Sequence, residues 1–445
     1  MSELGMNQQR ELTIGVFGHY GNENMGDEAI VAAVIEEVRR RYPQARVLGF
    51  SIVPEDTHRR HGIESYPIRR DTAPADPKLV AERAWSEPPE ATENTGVRSA
   101  LKSIPLIYPA LRGIRNALRF GGKIVAEIKF LARSYRIVKT VDLMMVSGSG
   151  QLTDQSGAWG FPYTLYKWSM LCTLGNCKWA FAGVGAGPLN TKLGRWFDKQ
   201  ALRRAGYRSY RDESSLRLIS SLGIGANDLV CPDLAFGKRT AAPRPVPTDP
   251  NRLVVGINPM AYHDPRYWPN ASKATFDTYI DKLTQVIVRI AELGDSVVLF
   301  PTQLRADILV INQLQPVLDK ICSPEVRSRI STVTVDGLES QLSAMSQFDL
   351  IIATRFHGVL MSYLVGKPTI GISYHPKISD LTAYMGHPEC ALPIDPLDVE
   401  AVMRTYVNLK GRLRVSQSLV LEKLQEKRRE LSQMYDQLFE TLLPK

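Results

Sequence analysis

Short, continuously apolar runs alternate along this chain with longer stretches whose apolar residues recur every three or four positions. Runs at 12–18, 46–53, 141–146 and 179–184 are too short and too uniformly apolar for amphipathic helices and predict buried strands; shorter segments at 208–211 and 229–231 extend the series. Between the first two runs, Ile30, Ala33, Val34 and Val38 share one face of a helix predicted over 27–41. A second series at 253–257, 296–301, 332–335, 350–354 and 369–373 alternates with helical patterns such as 276–293 and 359–365. Strands that alternate with helices predict parallel sheets covered on both faces. The segment 238–251, rich in Pro, Arg and Thr, separates the two series and reads as a linker. Val420, Leu424, Leu431, Tyr435, Leu438 and Leu442 keep helical spacing near the C-terminus, which predicts a closing helix that packs across the boundary.

The expected fold is therefore α/β: two doubly wound, Rossmann-like domains facing a cleft, GT-B-like, with a C-terminal helix. The expected divisions are a first domain at 1–237, the linker at 238–251, a second domain at 252–415 and the closing helix at 416–445. One gap disturbs this pattern. An insertion at about 71–140 is too long for an ordinary connection between strand and helix. Its first part, rich in Pro, Glu and Thr, reads as a loop. From 98 to 139 there are ten Lys and Arg against the single carboxylate Glu127, an excess equal to the net charge of +9 carried by all 445 residues. Apolar residues are interleaved with these charges. A basic amphipathic segment of this kind either lies on anionic lipid or packs its apolar face on its own domain.

Composition narrows the class of protein. With 44% hydrophobic and 23% charged residues, wholesale disorder is excluded. No run of about 18 apolar residues is present, so no spanning helix is expected. The N-terminal residues lack the basic start and apolar core of a signal peptide. Five cysteines, an odd number without CxxC spacing, fit reduced thiols better than a disulfide framework or metal site. The expected location is the cytoplasm, with peripheral attachment to the inner face of the membrane if the insertion binds lipid. The basic run contains no recognisable nucleic-acid module, so no nucleic-acid partner is expected.

Chemistry concentrates at predicted strand ends. The stretch LIIATRFHGVLMSYLVGKPTIGISYHPK at 350–377 places Arg355 and His357 after one strand, and Tyr374, His375 and Lys377 after the next. Ligands of open α/β sheets bind beyond the carboxyl ends of the strands. Arginine recognises carboxylate and phosphate with two parallel hydrogen bonds, and a helix N-terminus adds its own attraction for anions. That cluster predicts a site for a small, doubly anionic substrate. His263, which follows the first strand of the second series, belongs to the same edge. In the first half, Asn24 and Asp27 follow a glycine-rich turn, and either caps the next helix or holds a sugar hydroxyl. Gly148 and Gly150 lie in a Ser-Gly-Ser-Gly loop at another strand end, and Arg211 ends a later strand. The glycine spacing is not that of a dinucleotide fingerprint, and no P-loop, GxSxG elbow, HExxH or clustered cysteine pattern is present. No metal or bound cofactor is expected.

Taken together, GHYGNENMGDEAI at 18–30, VSGSGQLTD at 146–154, YRDESSLRLISSLG at 210–223, CPDLAF at 231–236 and ATRFHGVLMSYLVGKPTIGISYHPK at 353–377 resemble the polysaccharide pyruvyl transferase family. Two features depart from that pattern: a Ser-Gly-Ser-Gly loop where the family has a run of glycines, and a longer basic insertion. The resemblance implies transfer of the enolpyruvyl unit of phosphoenolpyruvate to two hydroxyls of a polysaccharide or its lipid-linked precursor, giving a pyruvate ketal and phosphate. On that reading Arg355 and Lys377 hold the donor's anionic groups, with Arg211 a third contact, and His357 handles the proton, which arrives with the substrate. Phosphoenolpyruvate is a co-substrate, not a cofactor. Two other readings compete: a GT-B glycosyltransferase using a nucleotide-sugar, which shares the fold, and a non-enzymatic membrane-surface component of polysaccharide assembly, which rests on the basic insertion and leaves the strand-end cluster unexplained.

Overall fold

A computed structural model of the chain describes residues 11–21, 24–70, 107–225, 228–242, 244, 245, 247, 252–268 and 271–443; at 107–120 and 123 it describes the backbone alone. The expected loop at 71–96 and the first residues of the basic run, 98–106, lie outside this set.

Thirteen strands among the described residues form two wholly parallel sheets. In the first half, β1 (Thr13–Phe17), β2 (Arg46–Ser51), β3 (Glu64–Pro67), β4 (Leu143–Ser147), β5 (Lys178–Val184), β6 (Tyr207–Tyr210) and β7 (Leu229–Val230) are arranged in the order β3-β2-β1-β4-β5-β6-β7. In the second, β8 (Val254–Asn258), β9 (Ser296–Leu299), β10 (Ile330–Thr332), β11 (Leu350–Ala353), β12 (Thr369–Ser373) and β13 (Ala391–Pro393) follow the order β10-β9-β8-β11-β12-β13. Every residue of β1, β4 and β11 is buried, as expected of strands covered on both faces. Two Rossmann-like units in a GT-B-like arrangement describe this architecture.

Each sheet reverses its winding direction once, between β1 and β4 and between β8 and β11. A crevice opens at such a switch point, outside the carboxyl ends of the strands. The loop residues that meet there are 18–21 and 147–150 in one sheet, and 258–264 and 354–357 in the other.

Helices that wind in one direction share a face of the sheet because crossovers are right-handed. On one side of the first sheet lie α1 (Met25–Arg41) and the last helix, and on the other lie α3 (Ile107–Val138), α4 (Phe161–Gly175) and α5 (Lys192–Arg203), whose Val138, Trp168 and Ala201 pack with Phe17 and Phe50. Between them in sequence, α2 (Pro54–His61) joins β2 to β3. The remaining helices are α6 (Glu213–Ser220), α7 (Lys273–Glu292), α8 (Asp307–Ile321), α9 (Pro324–Ser328), α10 (Leu338–Ser346), α11 (Phe356–Leu364), α12 (Pro376–Tyr384), α13 (Val399–Gly411) and α14 (Leu413–Leu442).

The last helix begins three residues before its expected start and returns to the first half. Its Leu431, Met434, Leu438 and Phe439 join a core cluster that also contains Val31, Val34 and Val38 of α1 and Val359, Leu360 and Tyr363 of α11. Tyr207 Oη donates to the Met434 carbonyl at 3.3 Å, and Arg428 donates to the carbonyls of Phe236 and Lys238 at 3.2 and 2.9 Å. The two halves thus share one apolar core.

Two strands escaped the sequence pattern for one reason. The sequences ESYP of β3 and ALP of β13 lie at sheet edges, keep exposed or half-buried side chains, and are too short to stand out as strand-length apolar runs. The strand expected at 332–335 lies instead at β10, where Ile330 is the buried residue. Within the insertion, Phe130, Leu131, Tyr135 and Ile137 of α3 pack against the first sheet's core, while Ile124, Val125 and Ile128 remain exposed.

A candidate anion site between the two sheets

Arg355 follows β11 directly and occupies the N-cap of α11, with extended backbone at φ −89° and ψ 142°. Its Nε donates to Asp307 Oδ1 at 2.6 Å, and Asp307 is fully buried at the start of α8. The other oxygen of Asp307 accepts from the backbone N–H groups of Thr302 and Gln303, each at 2.9 Å. One carboxylate therefore fixes both the guanidinium and the loop after β9. Arg355 Nη2 is buried and has no hydrogen-bond partner. An unpaired buried donor costs on the order of 1–3 kcal/mol, more when charged, which singles out Nη2 as the nitrogen of this guanidinium open to a further acceptor.

Two residues on, His357 also has a buried ring nitrogen without a partner, Nε2. Desolvation, reinforced by Arg211, Arg355 and Lys377 and opposed by Asp233, pushes its pKa down to about 4. The ring lies against the first turn of α1 in the other half: a Cβ on Gly26 would stand 1.9 Å from His357 Cγ. Glycine there lets helix backbone and imidazole touch. Nearby, Asn24 and Gln303 form an isolated antiparallel bridge that joins the two halves at the same level.

The first half contributes a further cation. Arg211, after β6, contacts Asp233 at 3.4 Å and Asp212 at 3.6 Å. Its guanidinium carbon lies 5.6 Å from the ring centroid of Phe356, the residue between Arg355 and His357. Gly185 leaves it room, since a Cβ there would be 2.8 Å from Arg211 Nη2. Lys377, in the first turn of α12, has its pKa lowered by burial and then by Arg211. Its backbone N–H donates to His375 Nδ1 at 3.3 Å, so His375 caps that helix from an exposed position. Tyr374 is 37% exposed and lies within electrostatic reach of Arg355. His263, at φ +56°, stacks on Trp268 with centroids 5.4 Å apart, and Trp268 meets Tyr374 edge-on at 6.5 Å. It belongs to an aromatic wall beside the cations.

Asn24 is the N-cap of α1: its Oδ1 accepts from Gly26 N at 3.2 Å and its Nδ2 donates to Asp27 Oδ2 at 2.9 Å. Asp27 is buried. Desolvation, aided by Glu28 and Asp233 and opposed by the Ser149 hydrogen bond and Arg211, pushes its pKa up to about 7. Gly148 and Ser149 both have positive φ, 54° and 56°, and a Cβ on Gly148 would stand 2.7 Å from Ile30. Gly150 faces open space, with nothing within 4 Å of an added Cβ.

Arg355, His357, Lys377, Arg211 and Asp27 therefore share one electrostatic neighbourhood, while His375, His263 and Asn24 serve a cap, a ring stack and a cap. Sequence reasoning missed Asp307 and Asp233, the carboxylates that hold Arg355 and Arg211. It also missed Arg69 after β3, whose guanidinium lies 4.5 Å from the Phe161 centroid and whose Nε donates to Thr164 at 3.0 Å. His19 packs on the same Phe161 ring at 5.0 Å, with its pKa pushed down to about 4 by burial and by Arg69. The only signal for Asp307 was its place at a helix start; Arg69 had none once its strand went unread. Among the described residues no cluster of three His, Cys, Asp or Glu is placed to hold a metal ion.

Solved structures share this fold at low identity. A putative UDP-N-acetylglucosamine 2-epimerase from Listeria monocytogenes superposes with a TM-score of 0.56 at 8% identity, covering 98% of each chain. The UDP-GlcNAc 2-epimerase of Neisseria meningitidis, bound to UDP-GlcNAc, gives 0.55 at 11% identity over 97% of this chain and 100% of that one. A glycosyltransferase from Rickettsia africae gives 0.51 at 10% identity, covering 98% of this chain and 99% of that one. At such identities these likenesses concern the fold alone. No curated protein matches the chain. The family model described as polysaccharide pyruvyl transferase matches residues 24–376, from the cap of α1 through the Arg355 and His357 turn to the start of α12. By that match over most of its length, the chain belongs to the polysaccharide pyruvyl transferase family.

Proposed function

We propose that this protein transfers the enolpyruvyl unit of phosphoenolpyruvate to two hydroxyls of a sugar in a polysaccharide or its lipid-linked precursor, forming a cyclic pyruvate ketal and releasing phosphate. The observation that carries this reading is the buried, unpartnered Arg355 Nη2 beside the equally unpartnered His357 Nε2. The donor offers a carboxylate and a phosphate. Arg355 suits either group as a planar fork, and Lys377 and Arg211 supply positive charge for the other.

In the proposed first step a sugar hydroxyl attacks the donor's C2 while the methylene carbon gains a proton. His357 is neutral in the free protein, so it accepts the hydroxyl proton and passes it to that carbon. The bound dianion favours the transient imidazolium. Asp27, whose pKa is pushed up to about 7, is a second group in the cleft able to exchange a proton. Attack by the second hydroxyl then closes the ketal, phosphate leaves with the electron pair of its C–O bond, and the second hydroxyl's proton leaves on phosphate or solvent. The enol phosphate carries its own activation, so this scheme uses no nucleotide or metal. A nucleotide-sugar glycosyltransferase is compatible with the fold, but the family match favours pyruvyl transfer.

Incubation with phosphoenolpyruvate and a free or lipid-linked oligosaccharide should release phosphate and add one pyruvate, less water, to the acceptor's mass. Absence of both, with turnover of a nucleotide-sugar instead, would overturn the reading. His357→Ala should lower turnover by about 10²–10⁴-fold while the protein stays folded.

A further inference from the structure

The layer formed by α3, α4 and α5 has a second apolar surface, turned away from the sheet. The central helix α4 packs against both others. The inward side of α3 is already used by Phe130, Leu131 and Tyr135. Outside, Val125 is 52% exposed, Ile128 59%, Leu174 67%, Trp196 47%, and Trp159, just before α4, 70%. They come from four separate parts of the chain yet occupy one helical layer. Trp159 and Trp196 continue inward as an aromatic cluster with Tyr163, Tyr166 and Phe197, ring centroids 5.1–5.6 Å apart, so the exposed rings stand on a rigid base.

Charge decides what this surface suits. The sequences of the three helices carry twelve Lys and Arg against two carboxylates, Glu127 and Asp198. Neither carboxylate opposes an anion: Glu127 is paired with Lys167 at 2.9 Å, and Asp198 is fully buried. Lys129, Arg133 and Arg136 are exposed and follow Ile128 along the outer side of α3. We propose that this face docks on an anionic lipid bilayer, with Val125, Ile128, Trp159, Leu174 and Trp196 entering the headgroup boundary and the basic side chains engaging lipid phosphates. Tryptophan and aliphatic side chains interleaved with Lys and Arg match the amphipathic interface of a membrane. A bare polyanion would leave the aliphatic groups without a role. Among the described residues no helix is long and apolar enough to cross a membrane, so the contact is one of lying on the surface.

The test needs no substrate, so its outcome is independent of the pyruvyl-transfer reading. The full chain is sedimented with phosphatidylcholine vesicles, with and without phosphatidylglycerol, at low and high salt. Binding should require the anionic lipid and weaken with salt. Lys129→Glu with Arg133→Glu and Arg136→Glu should reduce vesicle partitioning by about tenfold or more. Ile128→Ser with Trp159→Ser and Trp196→Ser should reduce it comparably, and quenching of tryptophan fluorescence by brominated lipid should disappear in that variant. Thermal melts of both variants establish that they fold. A native chain left in the supernatant with anionic vesicles at low salt overturns the proposal. So does binding that charge reversal abolishes but the apolar variant leaves unchanged, which would reduce the surface to a general polyanion site.

Discussion

At the scale of single residues, the candidate site is a balance of charges held out of water. Arg355 is tied through one nitrogen to Asp307 and keeps another unpartnered, so its geometry is set before a ligand arrives. Lysine cannot hold a carboxylate and a ligand in one rigid fork. Arg355→Lys should therefore weaken phosphoenolpyruvate binding by at least about tenfold in a calorimetric titration, as expected for loss of a charge-assisted hydrogen bond; unchanged affinity would move the anion site towards Arg211. The titrating groups make opposite contributions to stability. His357 and His19 have folded pKa values near 4 against an ordinary 6.5. Between those values the unfolded chain binds protons that the folded chain does not, so their contribution is complete above 6.5 and is lost as pH falls towards 4. Asp27 is raised from 3.8 to about 7, so there the folded chain holds the extra proton, and stability is lost as pH rises through that window. Asp27→Asn should consequently raise the melting temperature more at pH 8 than at pH 4. An equal shift at both pH values would show that Asp27 is not held protonated by its surroundings.

Elements meet at this site through missing side chains. Alanine in place of glycine within a helix ordinarily stabilises it by about 1 kcal/mol. Gly26 should behave otherwise, because its Cβ would overlap the His357 ring. Gly26→Ala should leave the isolated helix sound while displacing either α1 or the imidazole, with a large loss of turnover and no gain in stability. Gly62→Ala is not a suitable comparison, since Gly62 is a helix C-cap at φ +63°, whereas exposed Gly122 of α3 has nothing within 4 Å of an added Cβ. Turnover on a soluble acceptor should be retained in Gly122→Ala. If both variants kept full activity, the contact between α1 and His357 would have no functional weight.

The whole molecule is organised by a core that ignores the division into two sheets. Leu438, fully buried on α14, sits in the cluster that includes α1 and α11, so the last helix carries stability across both halves. Leu438→Ala should cost about 2–5 kcal/mol, read as a lower midpoint in urea unfolding. The native protein should unfold in one transition. Two separated transitions, with only one moved by the substitution, would mean that the halves are energetically independent. At the same scale, the basic outer layer belongs to the first half, which also forms one wall of the cleft, so docking on a bilayer would set the cleft's position relative to any lipid-linked acceptor.

Much of this was legible before any coordinates. Strands buried on both faces, such as β1, β4 and β11, leave continuous apolar runs, and a helix that follows each run makes the parallel doubly wound order the natural solution. The turn at Arg355 and His357 was visible because its residue types are costly to bury without a ligand or partner. Edge strands β3 and β13 were not visible, since half-exposed backbone pairing places no demand on side-chain polarity. Nor could the sequence separate a cap from a ligand contact: Asn24 and His375 have the residue types of both, and only their hydrogen bonds decide. Asp307 lies 48 residues from Arg355, and Gly26 lies more than 300 from His357; such pairings are settled by how the two sheets pack, because contact across the cleft depends on distance in space and leaves no periodic mark along the chain.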